Sequence, residues 1–259
     1  MVNILAVALS IRKEDVFAYP EREVEEESCL LAESLLAERQ KGKPFAYIAG
    51  NKEFFSENFS VDERVLIPRP DTEVLVEEAL RILFRNPSMS AVLDMGTGSG
   101  AIGLVVAKQS RNKVLCSDIS LDALCVAREN SRRLGVSSLT CFLCSDLFGA
   151  VGNMSFDMVL ANLPYIPSEE WGGLMRDVKD YEPRMALDGG HEGLVIYERF
   201  IEALPRHLNR KGHVLCEVGG GNQAEKLGKM LGTVGLTVDT RKDLSGNERV
   251  LIGSWINLS

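Results

Sequence analysis

From residue 91 onward the chain alternates two kinds of pattern. Short, nearly unbroken apolar runs, AVLDM (91–95), KVLCSD (113–118), LTCFLCSD (139–146), FDMVLA (156–161) and HVLCEV (213–218), have the length and β-branched content of buried strands. The stretches 100–109, 121–134, 194–208 and 222–231 read as helices. Strand and helix in alternation predict a doubly wound, mostly parallel α/β sheet. Two last strands, LTVDT (236–240) and RVLIGSWI (249–256), flank KDLSGNE, where Ser-Gly-Asn signals a turn. They close the sheet as an antiparallel hairpin and bring it to seven strands.

Residues 71–259 form this domain, opened by a helix at Pro70-Asp71 with Asp71 as N-cap, Glu73 in the first turn and Leu75, Ala79, Ile82 and Leu83 as buried stripe. Residues 43–70, PFAYIAGNKEFFSENFSVDERVLIP with its punctuating Gly50 and Asn58, read as a β-hairpin linker. Residues 1–42 read as a short helical region. Its start, MVNILAVALS, lacks the basic segment of a secretion signal and is expected to be helix. Within it, 20–40 predicts an amphipathic helix, with apolar residues at 24, 31, 35 and 36, that packs on the main domain.

Composition narrows the class. With 45% apolar and 25% charged residues the chain is an ordinary globular protein, and no apolar run reaches the ~18 residues of a membrane span. The six cysteines (29, 116, 125, 141, 144, 216) are scattered through the elements, as buried free thiols of a reducing cytoplasm would be. Cys141 and Cys144 would point to opposite faces of a strand, and only three histidines are present, so no metal signature emerges. A net charge of −8 speaks against a nucleic-acid partner, whose phosphates call for a basic face.

The chemistry gathers where the strands end. In VLDMGTGSGAIGL, a strand passes through Gly96-Thr97-Gly98-Ser99-Gly100 into a helix. The glycines permit a tight turn and close approach of a ligand, although Gly96-x-Gly98-x-x-Ala101 also satisfies a dinucleotide fingerprint. Asp118, followed by Ile119, ends the next strand where a carboxylate can accept both ribose hydroxyls; Ser120 is the better N-cap for the following helix. Asp146-Leu147-Phe148 ends the third, with Asp146 placed to accept from an adenine amino group and Phe148 to lie against the ring. The fourth ends in Asn162-Leu163-Pro164-Tyr165, which nicotinamide chemistry does not need and methyl transfer to a planar nitrogen does. The lone pair of an amide or aromatic amine is delocalised. Acceptors on its N–H groups, the Asn162 oxygen and the Leu163 carbonyl, raise its density and fix its direction, while Pro164 stiffens the turn and Tyr165 stacks on the plane. The closing hairpin likewise suits a methyltransferase-type sheet better than a dehydrogenase.

From about residue 41 to 253 the chain resembles the HemK/PrmC family, the glutamine-N5 methyltransferases of peptide chain release factors. The resemblance rests on GKPFAYIAGNKEFF, VLIPRPDTEVLVE, VLDMGTGSGAIGL, CSDIS, SDLF, FDMVLANLPYI, YEPRMALDGGHEGL, LCEVGGGNQ and KDLSGNERV, in the family's order. It implies S-adenosyl-L-methionine on residues 96–100, 118–119, 146–148 and Asn162, the target amide on Asn162 to Tyr165, and cytoplasmic release factors as protein substrates. Residues 166–193, with Trp171 and the glycines 172, 173, 189 and 190, are expected to form a lip over the target. Two features depart from the family: Leu163 stands where it writes proline, and the stretch before GKPFAYIAG is about half the expected helical domain. Asn-Leu-Pro-Tyr also resembles the rRNA adenine dimethylases, which keeps an adenine-N6 methyltransferase open beside a binding domain without turnover.

Overall fold

The computed structural model describes residues 1–255. At its amino end α1 (Val2–Ala8), α2 (Lys13–Ala18) and α3 (Glu26–Gln40) form a small helical unit. The helix expected over 20–40 starts only at Glu26 and buries no residue. Val24 and Leu31 of the expected stripe are exposed, and so is Leu30; the apolar side chains spread around α3 instead of sharing one face.

The linker is strand only over residues 51–60. Phe45–Ala49 forms a short helix, α4, between Pro44 and Gly50, the proline-start and glycine-end of a helix. The strands β1 (Asn51–Phe54) and β2 (Glu57–Ser60) then pair antiparallel across Phe55-Ser56, both at positive φ as a two-residue hairpin turn requires. Pro70–Thr72 makes a 3-10 turn into α5 (Glu73–Arg85). Asp71 does not cap it, because its carboxylate is drawn to Arg249 at 3.1 Å. Glu73 does lie in the first turn, where Oε1 accepts the Phe55 N–H at 2.9 Å.

The main domain runs β3 (Ala91–Met95), α6 (Ala101–Ser110), β4 (Lys113–Asp118), α7 (Leu121–Arg133), β5 (Thr140–Cys144) and β6 (Phe156–Ala161). After a short helix α8 (Arg176–Lys179) come α9 (Val195–Ala203), β7 (Leu208–Glu217), α10 (Gly221–Thr233), β8 (Leu236–Lys242) and β9 (Glu248–Trp255). The seven strands lie in the order β5-β4-β3-β6-β7-β9-β8, and β9 is antiparallel to both neighbours. The expected sheet and closing hairpin are therefore present; Ile256, expected to end the last strand, lies outside the described residues. β5 is shorter than expected, because Ser145 leaves the sheet to bond the Leu147 carbonyl at 2.7 Å.

From β3 the chain builds outward to β4 and β5, then crosses back to place β6 and β7 on the other side. The carboxyl ends of β3 and β6 thus flank the switch point at which open α/β sheets hold ligands. Only Cys116 and Cys216 are buried thiols; Cys29, Cys125, Cys141 and Cys144 lie on the solvent side of α3, α7 and the edge strand β5. No described helix is long and apolar enough to cross a membrane.

Candidate active site

At the end of β3 the chain turns through residues 96–100 into α6. Gly96 has φ +70°, and a Cβ there would stand 3.0 Å from the Leu163 side chain, so both the turn and the close approach call for glycine. Gly96 and Gly98 line a cavity of about 210 Å³ at the switch point. Gly100 packs against Leu104 instead, and Thr97 and Ser99 are buried beneath the turn. The Thr97 hydroxyl donates to Asp94 Oδ2 at 2.5 Å, and the same oxygen accepts the Gly103 N–H at 3.0 Å. Asp94 braces the turn from inside, and its burial pushes its pKa up to about 6.

Asp118 lines the cavity at the end of β4. Oδ2 accepts the Gly98 N–H at 2.8 Å and Oδ1 the Ser120 N–H at 2.9 Å. Each oxygen keeps a second lone pair for a ligand. Burial raises its pKa, against which these backbone donors act. Ser120 caps α7 by accepting the Ala123 N–H at 3.1 Å, so capping does not explain the carboxylate. Ile119, half exposed, forms the adjacent apolar wall.

After β5, Asp146 and Leu147 reach the cavity and Phe148 does not. The Phe148 ring is buried, stacked 4.4 Å from His207 and 5.4 Å from Phe200. Leu147 adopts a left-handed backbone (φ +47°) and takes the place expected for the aromatic. Oδ2 of Asp146 is bound by Arg199 of α9 at 2.7 Å, a partner that local sequence did not reveal.

Asn162, Leu163 and Pro164 close the cavity from β6. Asn162 Nδ2 donates to the Thr72 hydroxyl at 3.3 Å, which leaves Oδ1 as the free acceptor. The Leu163 N–H donates to the Tyr197 hydroxyl at 3.3 Å. That fully buried hydroxyl also donates to the Glu217 carbonyl at 2.6 Å, pinning the turn to β7. Tyr165 faces a separate groove of about 590 Å³, and its hydroxyl donates to Glu217 Oε1 at 3.1 Å. Burial and the nearby Glu217 charge raise the tyrosine pKa.

Two of the shared motifs meet over the cavity. Glu182 of YEPRMALDGG is buried, accepts the Ile67 N–H at 3.1 Å and pairs with Arg69 of VLIPRPDTE. This clamp brings Val65 and Leu66 to one rim and Pro183, Met185 and Ala186 to another. Within the expected lip, Arg184 covers the Trp171 ring at 4.8 Å. A Cβ on Gly189 would lie 2.6 Å from the Pro164 carbonyl oxygen, so the segment sits directly on the Asn-Leu-Pro-Tyr turn.

A seven-stranded sheet with an antiparallel last pair, and a glycine turn facing a carboxylate at its switch point, define an S-adenosylmethionine-dependent methyltransferase. Residues 72–172 match the Methyltransferase small domain and residues 3–50 the PrmC N-terminal domain. The release factor glutamine methyltransferase of Geobacter sulfurreducens is 38% identical over 251 residues, 96% of this chain and 87% of the relative. That of Nitratidesulfovibrio vulgaris is 39% identical over 252 residues, 96% and 85% of the two chains. The chain belongs to the release factor glutamine methyltransferase family, and the similarity includes the amino-terminal helices, beyond the span that the motifs delimit. Among solved structures, the ribosomal protein L11 methylase of Lactobacillus delbrueckii subsp. bulgaricus shares the fold, with a TM-score of 0.54 at 23% identity over 74% of this chain and 81% of that one.

The residues present fit S-adenosylmethionine. The Asp118 carboxylate suits a ribose diol, Ile119 and Leu147 offer apolar walls for a purine, and the glycine turn leaves room for a backbone-close ligand.

Proposed function

We propose that the chain methylates the side-chain amide nitrogen (N5) of a glutamine, in the Gly-Gly-Gln loop of a peptide chain release factor. The observation that carries this is the anchoring of Asn162: its NH₂ is given to Thr72, so its oxygen is the group left to meet a planar N–H donor beside the cofactor cavity. Bound against Asp118 and the glycine turn, S-adenosylmethionine would supply an electrophilic methyl group on a sulfonium. The Asn162 oxygen and the Leu163 carbonyl accept the two amide N–H bonds, increase electron density on nitrogen and aim its lone pair. The buried hydroxyl of Tyr197 keeps that turn from shifting. Holding two reactants in line supplies much of the rate in such a transfer.

A protein substrate, rather than rRNA or DNA, agrees with the net charge of −8 and with the Arg69–Glu182 clamp built from the family's own motifs. A cytoplasmic location follows from that substrate. Incubation with labelled S-adenosylmethionine and a release factor, followed by mass mapping, is expected to place one methyl on the glutamine side chain. Label in naked rRNA or DNA, with none on release factors, would overturn the reading.

A further inference from the structure

The net charge of −8 is unevenly placed. At the amino ends of the parallel strands, across the sheet from the cavity, the connections 86–90, 110–112, 134–139, 149–155, 204–212 and 233–235 contain no Asp or Glu. Arg85, Arg111, Lys113, Arg206, Arg210 and Lys211 stand at this edge, and all six are exposed. Among the described residues none of them pairs with a carboxylate, whereas Arg81, Lys108 and Arg241 are held by Glu78 or Glu57. Asp157, near the start of β6, is taken up by the Ser90 and Ala91 N–H groups at 2.9 and 3.1 Å and by Asn209 Nδ2 at 2.8 Å. Asn112 Nδ2 donates to the Met89 carbonyl at 2.8 Å. These bonds join the starts of β3, β4, β6 and β7 into one surface. Neighbouring strands lie about 4.8 Å apart, so the strip from β4 to β7 is about 14 Å wide.

Helix dipoles account for part of this charge. Arg85 lies in the last turn of α5, Arg111 at the carboxyl end of α6, and Arg206 in the 3-10 turn that follows α9. Lys113 opens β4, and Arg210 and Lys211 ride on the irregular start of β7, where the register with β6 shifts. These three serve no helix end. Beside Arg85, Phe84 holds its ring 62% exposed. Unpaired cations on flexible stems suit phosphates, and an exposed ring suits the face of an unstacked base. We propose that this edge of the sheet docks single-stranded RNA, with its phosphates on the cations and a base on Phe84. An acidic peptide would use the cations but leave the ring without a partner. The five residues of β3, at about 3.3 Å each, set this edge about 16 Å from the cavity, so the RNA is a partner and not the methyl acceptor.

The test is fluorescence anisotropy of a labelled, mixed-sequence single-stranded RNA oligonucleotide with the full chain, from about 50 to 200 mM salt. The logarithm of affinity should fall linearly with that of salt, by about 0.7 per phosphate held. The triple variant Arg206→Glu, Arg210→Glu, Lys211→Glu should lower that slope by about 2 and weaken binding at least about tenfold. Phe84→Ala should weaken binding about tenfold at an unchanged slope, because stacking releases no counterions. A control with the same charge change on the helical unit, Lys13→Glu, Arg22→Glu, Lys41→Glu, should bind RNA as the wild type does. All these variants should keep the wild-type rate of release factor methylation, since none touches the cavity. No RNA binding by the wild type at 50 mM salt, or a folded triple variant with wild-type affinity and slope, would overturn the inference. Should the triple variant not fold, Arg111→Ala with Lys113→Ala decides in its place: a slope lowered by about 1.4 supports the inference and an unchanged one overturns it. Equal losses in the control would reduce the effect to net charge and overturn the placement. Displacement of the RNA by polyglutamate at equal charge concentration would put an acidic protein there and overturn the choice of RNA.

Discussion

Replacing Asp118 by alanine isolates the cofactor half of the site. Its carboxylate accepts one backbone N–H on each oxygen, from Gly98 and Ser120, and offers one further lone pair on each to a ribose diol. Two charge-assisted bonds at about 1.5 kcal/mol each give a loss of about 3 kcal/mol. That is roughly a 10²-fold weaker Kd for S-adenosylmethionine. Asp118→Asn should lie between, because one carbonyl oxygen remains while its NH₂ opposes either the Gly98 N–H or a ligand hydroxyl. Ser120→Ala is the control: loss of the α7 cap should cost stability by about 1 kcal/mol and leave Kd unchanged. Because burial raises the Asp118 pKa, affinity should weaken as pH falls toward that raised value, where the neutral acid gives weaker bonds. Titration calorimetry reads all of these, and an unchanged Kd in folded Asp118→Ala would refute the placement of the ribose.

Phe148→Ala should destabilise the fold by roughly 3–5 kcal/mol and spare the cofactor affinity of the folded fraction, since the ring packs on His207 and Phe200; Leu147→Ala should do the reverse, as thermal melts and calorimetry on both would show. Asp94 has a folded pKa near 6, above its unfolded value, so the stability it contributes is full below about pH 4 and is lost as pH rises through 6. Asp94→Asn should flatten that part of the profile of unfolding free energy against pH, read by denaturant titration, by roughly 3 kcal/mol between the two limits. Glu182→Ala should cost roughly 2 kcal/mol in denaturant unfolding, less than a fully buried pair because Arg69 is partly exposed, and should raise KM for the cofactor by loosening both rims.

The sheet was legible because a strand buried on both faces has to be apolar throughout, and β3, β4 and β6 carry that requirement on the surface of the sequence. Asp118 and the glycine turn followed, since topology fixes where strand ends gather. What escaped depends on contacts far along the chain: Thr72 meets Asn162 ninety residues away, and Arg199 reaches Asp146 from another helix. Glu217 did leave a trace, an acid inside the buried run HVLCEV, and so did Asp94 in AVLDM. Phe148 misled because the left-handed backbone of Leu147, unusual for leucine, turns the next side chain into the core. The helix α3 misled because its leucines share no face, and α4 because five residues are too few to show a helical period.

The central claim is that the Asn162 oxygen receives an amide N–H of a glutamine during methyl transfer. Single-turnover transfer from S-adenosylmethionine to a release factor, measured for wild type, Asn162→Ala and Asn162→Asp, tests it most directly. Asn162→Ala should lose roughly 10²–10³ in rate, the effect of deleting one preorganised hydrogen-bonding group, at unchanged cofactor affinity. Asn162→Asp, which keeps an acceptor, should retain part of the activity. A folded Asn162→Ala that methylates glutamine at the wild-type rate would contradict the account.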